Sequence, residues 1–211
     1  MAPAPGPAPP VETLYLIVGL GNPGSEYDRT RHNVGFRVVQ ELAERWRADW
    51  NFEKKFNARM ARAERANGRV WLCQPQTFMN ASGEAVAAVK AFYRVELPRL
   101  LVVVDDADLP LGQLRMRPGG ASGGHHGLES IEQHLGTREY ARLRVGIGRW
   151  SGTREITGYV LGRFSSTEAA VADKVLGLAV DQAETWVDAG IQKAMSQFNG
   201  VVEDPVNEGK E

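Results

Sequence analysis

The 211-residue chain predicts an α/β fold: a single-domain three-layer sandwich, with a mixed central β-sheet flanked by helices. Three observations carry this expectation. Leu16-Ile17-Val18 and Leu100 to Val104 are short, branched and apolar at every position, as strands covered on both faces are. Between them, Val38, Val39, Leu42 and Trp46, then Ala85, Val86, Val89, Phe92 and Tyr93, recur at helical spacing. Asn67-Gly68 lies between two strand-like runs and signals a tight hairpin, so the sheet cannot be purely parallel.

Taken in order, residues 1–13 (MAPAPGPAPPVET) are Pro/Ala-rich and are expected to form a disordered, polyproline-like tail. They have neither the cationic start nor the apolar stretch of a secretory signal. The first strand, Leu16 to Val18, enters a polar loop that presents Asn22, Tyr27, Thr30, Arg31, His32 and Asn33, and a helix leaves at about Asn33. A strand feeding a polar loop and then a helix is where open α/β sheets place ligands. Gly19-Leu20-Gly21-Asn22-Pro23-Gly24 also matches the G-x-G-x-x-G dinucleotide fingerprint. That reading fails on context: Pro23 removes an amide donor, and the helical pattern resumes only near Asn33, too late to offer its N-terminus to a pyrophosphate.

Residues 57–63 and 69–74 read as paired strands, and the loop Thr77 to Asn80 leads into the second helix. Leu100 to Val104 runs directly into Asp105-Asp106-Ala107-Asp108-Leu109-Pro110; three acids at the end of a buried strand are costly unless they serve something. A short strand, Gln113 to Arg117, precedes the glycine-dense stretch 119–127, which opens a helix through Leu128, Ile131 and Leu135 that stops at Gly136. Arg142 to Gly148 alternates as a strand, and Thr167 to about Phe198 is a long helical pattern with a break near Asp188-Ala189-Gly190. No linker or repeat interrupts residues 14–199, which are therefore expected to be one domain, with 200–211 a flexible acidic tail.

Composition narrows the function. The longest aliphatic run is far too short to cross a membrane. Cys73 is the only cysteine, which rules out an internal disulfide and suits a reducing, cytoplasmic setting; in a strand it reads as a small core residue. The net charge of −1 argues against a generic nucleic-acid binder. Its distribution points elsewhere: from Gln113 to Arg154 seven arginines face three acids, and from Ser166 onward nine acids face three lysines. A basic middle and an acidic end suit an anion bound at one place.

Loops 19–33, 74–80 and 105–112 follow strands, and 118–127 opens a helix; at one edge of a sheet they would gather Asn22, His32, Asn80, Asp105, His125 and His126. A histidine beside a carboxylate is the usual pairing for a general base, and asparagine amides can serve an oxyanion. The base is expected to activate water rather than a protein nucleophile. Adjacent His125 and His126 diverge in any regular structure, and no H-x-x-x-H or C-x-x-C spacing occurs, so no metal is expected.

The motifs G-L-G-N-P-G-x-x-Y-x-x-T-R-H-N-V-G-F, P-x-T-F-M-N-x-S-G, D-D-x-D-L-P-x-G, G-G-x-x-G-G-H-x-G-L and R-L-R-V-G-I-G stand in that order between about Leu16 and Gly162. In sequence and spacing the chain resembles bacterial peptidyl-tRNA hydrolase. The resemblance implies a monomeric, cofactor-free cytoplasmic esterase that cleaves the ester joining a peptide to the 3′ ribose of tRNA. It implies His32 as the base on water, with Asp105 orienting it. Asn22 and Asn80 would hold the peptide and the scissile carbonyl, Tyr27 would lie near the acceptor end, and Phe78 and Met79 would line the peptide groove. His125 and His126 join the substrate-binding set, and Arg117 and Arg144 would grip tRNA phosphate. The chain departs from the family pattern at His126, where an asparagine is usual. Some plant relatives are RNA-binding splicing factors without hydrolase activity; the presence of His32, Asn22, Asn80 and Asp105 favours the enzyme.

Overall fold

The structure is a computed structural model that describes residues 13–148 and 156–201. The tail 1–12, Arg149 and Arg154 of the basic middle, and 202–211 lie outside the described residues. One eight-stranded mixed sheet forms in the order β2-β3-β4-β1-β5-β7-β6-β8. Its centre is parallel: β1 (Leu14–Gly19) lies between β4 (Gly68–Pro75) and β5 (Leu100–Asp106), and β5 pairs with β7 (Ala141–Gly146). Antiparallel strands close both flanks: β2 (Asn51–Glu53) and β3 (Ala58–Arg65) on one side, β6 (Gln113–Arg117) and β8 (Gly200–Val201) on the other.

The apolar runs dictate two cores. Alternate strand residues point to opposite faces, so Ile17, Leu101, Val103, Leu143 and Val145 meet α1 (Val34–Trp46), α5 (Ser166–Ala189) and α6 (Ile191–Phe198). Leu16, Val18, Leu100, Val102 and Val104 meet α2 (Ser82–Tyr93) and α3 (His126–Leu135) on the other face. Each fully buried aliphatic side chain is worth about 1.5–3 kcal/mol, and β5 is buried along its whole length.

Local chemistry sets the ends of the helices. Arg47 ends α1 in the left-handed conformation, and Gly136 does the same for α3. Ser165 and Glu168 form a reciprocal capping box at the start of α5, and Gly190 separates α5 from α6 within the expected break. The hairpin turns at Asn67-Gly68 as expected. Three elements escape the periodicity: the three-residue edge strand β2, the five-residue α4 (Ile156–Val160), and β8, which pairs Gly200 with Leu114 and so takes the first residues of the expected C-terminal tail into the sheet.

This arrangement creates one functional edge. The parallel strands β1, β4, β5 and β7 all end there, and the loops leaving β1 and β4 depart to opposite faces, toward α1 and α2. Such divergence opens a crevice at the carboxyl ends of the strands. Gly35 lets α1 close on it: a Cβ there would sit 2.4 Å from Leu20 N and from Val103 O, so only glycine permits the approach.

Candidate active site

The loop after β1 is braced by its own side chains. The Asn22 backbone N–H donates to Asn33 Oδ1 at 2.8 Å, and Asn33 Nδ2 donates to the Asn22 carbonyl at 2.9 Å. This bridge folds the loop so that the single turn Arg31–Asn33 presents His32 toward the end of β5. Asn22 Oδ1 accepts the backbone N–H of Met79 at 2.8 Å, which ties the β1 loop to the β4 loop. With that oxygen engaged, the Asn22 amide turns its NH₂ group to the cleft it lines.

Asp105 is 3% exposed, and its Oδ1 takes two imidazoles: His32 Nδ1 at 2.8 Å and His125 Nε2 at 3.1 Å. Burial alone would raise its pKa. The attraction of His32 and His125 when protonated, together with the hydrogen bonds both rings make to it, outweighs burial and holds the carboxyl well below the usual carboxylate range. An ionised carboxylate only accepts, so both facing nitrogens carry protons. The two rings are nevertheless not equivalent. His125 Nδ1 accepts the N–H groups of Gly127 and Leu128 at 3.2 and 3.4 Å, capping α3, so both its nitrogens are engaged. His32 donates through Nδ1 and keeps its Nε2 lone pair. The rings lie 5.3 Å apart, centroid to centroid.

His32, Asp105 and His125 are also the group of ligand-type side chains whose donor atoms all fall within 4.8 Å. A cation there would have to displace both protons now shared with Asp105 Oδ1, and the 2.8 and 3.1 Å separations are those of hydrogen bonds.

The cleft beside these residues encloses about 200 Å³. Asn22, His32 and Asp105 line it together with Gly123 and Gly124, and Ile156, Val160 and Leu161 of the α4 region form an apolar wall that also carries the Thr157 hydroxyl. No serine or cysteine lines it among the described residues. Cys73 is wholly buried in β4, and burial pushes its thiol pKa up.

The remaining sequence-predicted residues fall into three groups. Tyr27, Phe78 and Asn80 border the edge without lining this cleft; Phe78 is 61% exposed. Met79 corrects the expectation of a groove residue: its side chain packs in the core under α2 and α3. His126 lines the cleft at its rim, 75% exposed at the side chain, with Nδ1 3.0 Å from Glu129 Oε2.

Arg144 lines the cleft from the glycine-rich side. It is 9% exposed, and its guanidinium donates to Asp106 Oδ2 at 3.1 Å and to the carbonyls of Ala121 and Ser122 at 3.0 and 2.8 Å. Its donors fasten the glycine-rich loop instead of facing outward. Arg115 shares Asp106, and Arg138 and Arg142 share Glu132. Four arginines of the basic middle are thus held in ion pairs, two to each carboxylate; Arg117 stays exposed, with no ion pair among the described residues. Two further residues, Asn33 as loop brace and Arg31 beside His32, have roles the sequence reading did not foresee.

A lone pair on a carboxylate-held imidazole, with no serine or cysteine lining the cleft among the described residues, suits attack by water, and this places the chain among hydrolases. The family can be stated. The model of the peptidyl-tRNA hydrolase family matches residues 16–207, and the chain belongs to that family. It is 48% identical to a peptidyl-tRNA hydrolase of Synechococcus sp. (strain JA-3-3Ab), covering 90% of this chain and 85% of that one. To the enzyme of Geobacillus kaustophilus it is 45% identical, over 88% of this chain and all of that one. The crystal structure of peptidyl-tRNA hydrolase from Acinetobacter baumannii superposes with a TM-score of 0.84 at 35% identity, covering 92% of this chain and 98% of that one. No helix among the described residues is long and apolar enough to cross a membrane.

Proposed function

We propose that this chain hydrolyses the ester bond of peptidyl-tRNA, releasing free tRNA and peptide, with His32 as general base on water. One observation carries the reading: the 2.8 Å His32 Nδ1–Asp105 contact, which leaves Nε2 as acceptor beside the cleft. Nε2 takes a proton as the water oxygen bonds to the ester carbonyl carbon, and Asp105 stabilises the imidazolium that forms. The Asn22 NH₂ group donates to the carbonyl oxygen as negative charge develops there. Collapse of the tetrahedral intermediate breaks the bond to the 3′ ribose oxygen, which leaves with the proton from His32. Base and acid are thus the same nitrogen, and no cofactor enters the sequence.

His125 cannot share the base role while both its nitrogens are engaged; it holds Asp105. Tyr27, Phe78 and Asn80 are assigned to the substrate's approach, and exposed Arg117 to a tRNA phosphate. Arg144 serves that contact only indirectly, by fixing the loop 119–124. The enzyme is assigned to the cytoplasm, in keeping with one buried, unpaired cysteine, and is taken to act as a monomer, as its resemblance to the family implies.

The test is release of N-acetyl-amino acid from N-acetyl-aminoacyl-tRNA, measured beside unblocked aminoacyl-tRNA. Hydrolysis of the first and sparing of the second is the expected result. Binding of both without turnover would instead identify a non-catalytic RNA-binding relative.

A further inference from the structure

Arg31 precedes His32 in the chain, yet its side chain faces away from Asp105. It is 8% exposed, and its guanidinium is gripped from several directions. Nη1 donates to the Arg163 carbonyl at 2.6 Å, and Nη2 donates to Glu168 Oε2 at 2.8 Å. The plane lies 4.5 Å from the Tyr159 ring centroid and 5.0 Å from that of Phe164. The backbone adds to this: Arg31 N–H donates to the Gly162 carbonyl at 2.9 Å, and Thr30 bridges Arg163.

The far ends of these contacts matter. Tyr159 belongs to α4, whose Ile156 and Val160, with Leu161, make the apolar wall of the catalytic cleft. The Tyr159 hydroxyl donates to the Ile147 carbonyl at 2.8 Å, just past the end of β7. Gly148 makes room for it: a Cβ there would lie 2.5 Å from the hydroxyl. Glu168 is the capping residue of α5, receiving Ser165 N–H and Oγ–H at 2.8 Å each. One buried cation thus joins the turn that carries His32, the helix that walls the cleft, and the start of α5.

We propose that Arg31 is a positioning residue for the reaction. It clamps α4 against the His32 turn, so that the apolar wall and the imidazole keep one fixed separation across the substrate's acyl group. This rests on the hydrolase reading of the same cleft. Only arginine suits the position. Two donors of a planar fork reach a carbonyl and a carboxylate while the face stacks on two rings, which a lysine ammonium cannot reproduce. The short α4 has few backbone bonds of its own, so the clamp decides where it sits.

The experiment compares Arg31→Lys, Arg31→Ala and Tyr159→Phe with Arg37→Ala, which removes an exposed α1–α5 ion pair and leaves the wall untouched. Two readouts are taken: kcat and KM on N-acetyl-aminoacyl-tRNA, and hydrogen exchange of the Leu161 amide, which bonds Thr157 within the wall. Arg31→Lys is expected to lose about tenfold in kcat/KM, with KM taking the larger share, and to speed Leu161 exchange without changing exchange in β5. Arg31→Ala is expected to lose more, with partial recovery on adding methylguanidinium; Arg37→Ala should match wild type in both. Unchanged Leu161 exchange in Arg31→Lys and Tyr159→Phe would overturn the clamp. A loosened wall with kinetics within twofold of wild type would overturn the positioning role. A wild-type chain that hydrolyses nothing would overturn the hydrolase reading, while the exchange data would still decide the clamp.

Discussion

Asp105 and Asp106 are neighbours at the end of β5, equally buried, and held in opposite ways. Asp105 faces two imidazoles; Asp106 faces two guanidiniums, Arg144 and Arg115, and accepts the Asp108 backbone N–H at 2.9 Å. Imidazole gains and loses a proton near neutrality, whereas guanidinium stays charged. The first carboxylate therefore sits in a circuit that can move a proton, and the second in a fixed anchor for the loop beside it. Alternation along the strand aims the two at different partners. One strand end thus supplies both the chemistry and the frame that holds it, and the two functions should separate on mutation.

The sharpest separation is kinetic. His32→Ala should lower kcat by about 10²–10⁴ with tRNA binding largely retained, because a positioned base is worth that much. Asp105→Asn should also fall steeply, since an amide can neither hold the tautomer nor stabilise imidazolium. Steady-state kinetics with melting curves check both; turnover within a few-fold of wild type would refute the pair.

Asp106→Ala should break the other half of the comparison. Removing the acid leaves the Arg144 cation buried without its carboxylate, a loss of roughly 3–5 kcal/mol when a buried pair is broken from one side. Urea unfolding measures it. The variant should lose stability before it loses the pH–rate profile set by His32.

The pH dependence of stability is a finer test. Asp105 has a folded pKa held below its unfolded value of about 3.9, so its contribution is fully present above that value and fades as acid reaches the folded range. The stability gap between wild type and Asp105→Asn should therefore shrink only below about pH 4, followed by denaturant midpoints across acid pH.

Two smaller effects concern the surface. Arg117→Ala should reduce the slope of log binding constant against log salt by about one if it meets a phosphate, while Arg144→Ala should chiefly cost stability. His126→Asn, which restores the family residue, should change kcat at pH 7 little, because the imidazole bonds Glu129 at the rim. A change confined to the acid limb of the pH–rate curve would show that its charge is felt by the reaction.

What the sequence made legible follows from which forces leave a one-dimensional trace. The long apolar runs and helical stripes reported their elements correctly, from Leu100 to Val104 through the break at Gly190. The two acids that end β5, Asp105 and Asp106, are readable as a site because buried charge must be matched. Residues whose role depends on direction are not. Arg144 carries the same charge whether it faces solvent or Asp106, and Met79 the same side chain whether it meets substrate or core. His125 leaves a local signal: a histidine at the start of a glycine-led helix can cap it through Nδ1, which leaves Nε2 as the donor that Asp105 accepts. Arg31 leaves none, since its partners lie more than a hundred positions away in the chain.

The strand order has a consequence for how the molecule is made. β1 is synthesised first but sits at the centre of the sheet, with Leu16 pairing Trp71 on one side and Leu100 on the other. During synthesis its apolar residues wait, with an open edge, until β5 has left the ribosome, and the His32 turn cannot meet Asp105 any sooner. Contacts so distant in sequence form slowly, because the loop must close before any pairing rewards it. A nascent chain stalled before Asp105 would expose an unpaired Leu-Ile-Val edge, the kind of surface that chaperones or neighbouring chains capture.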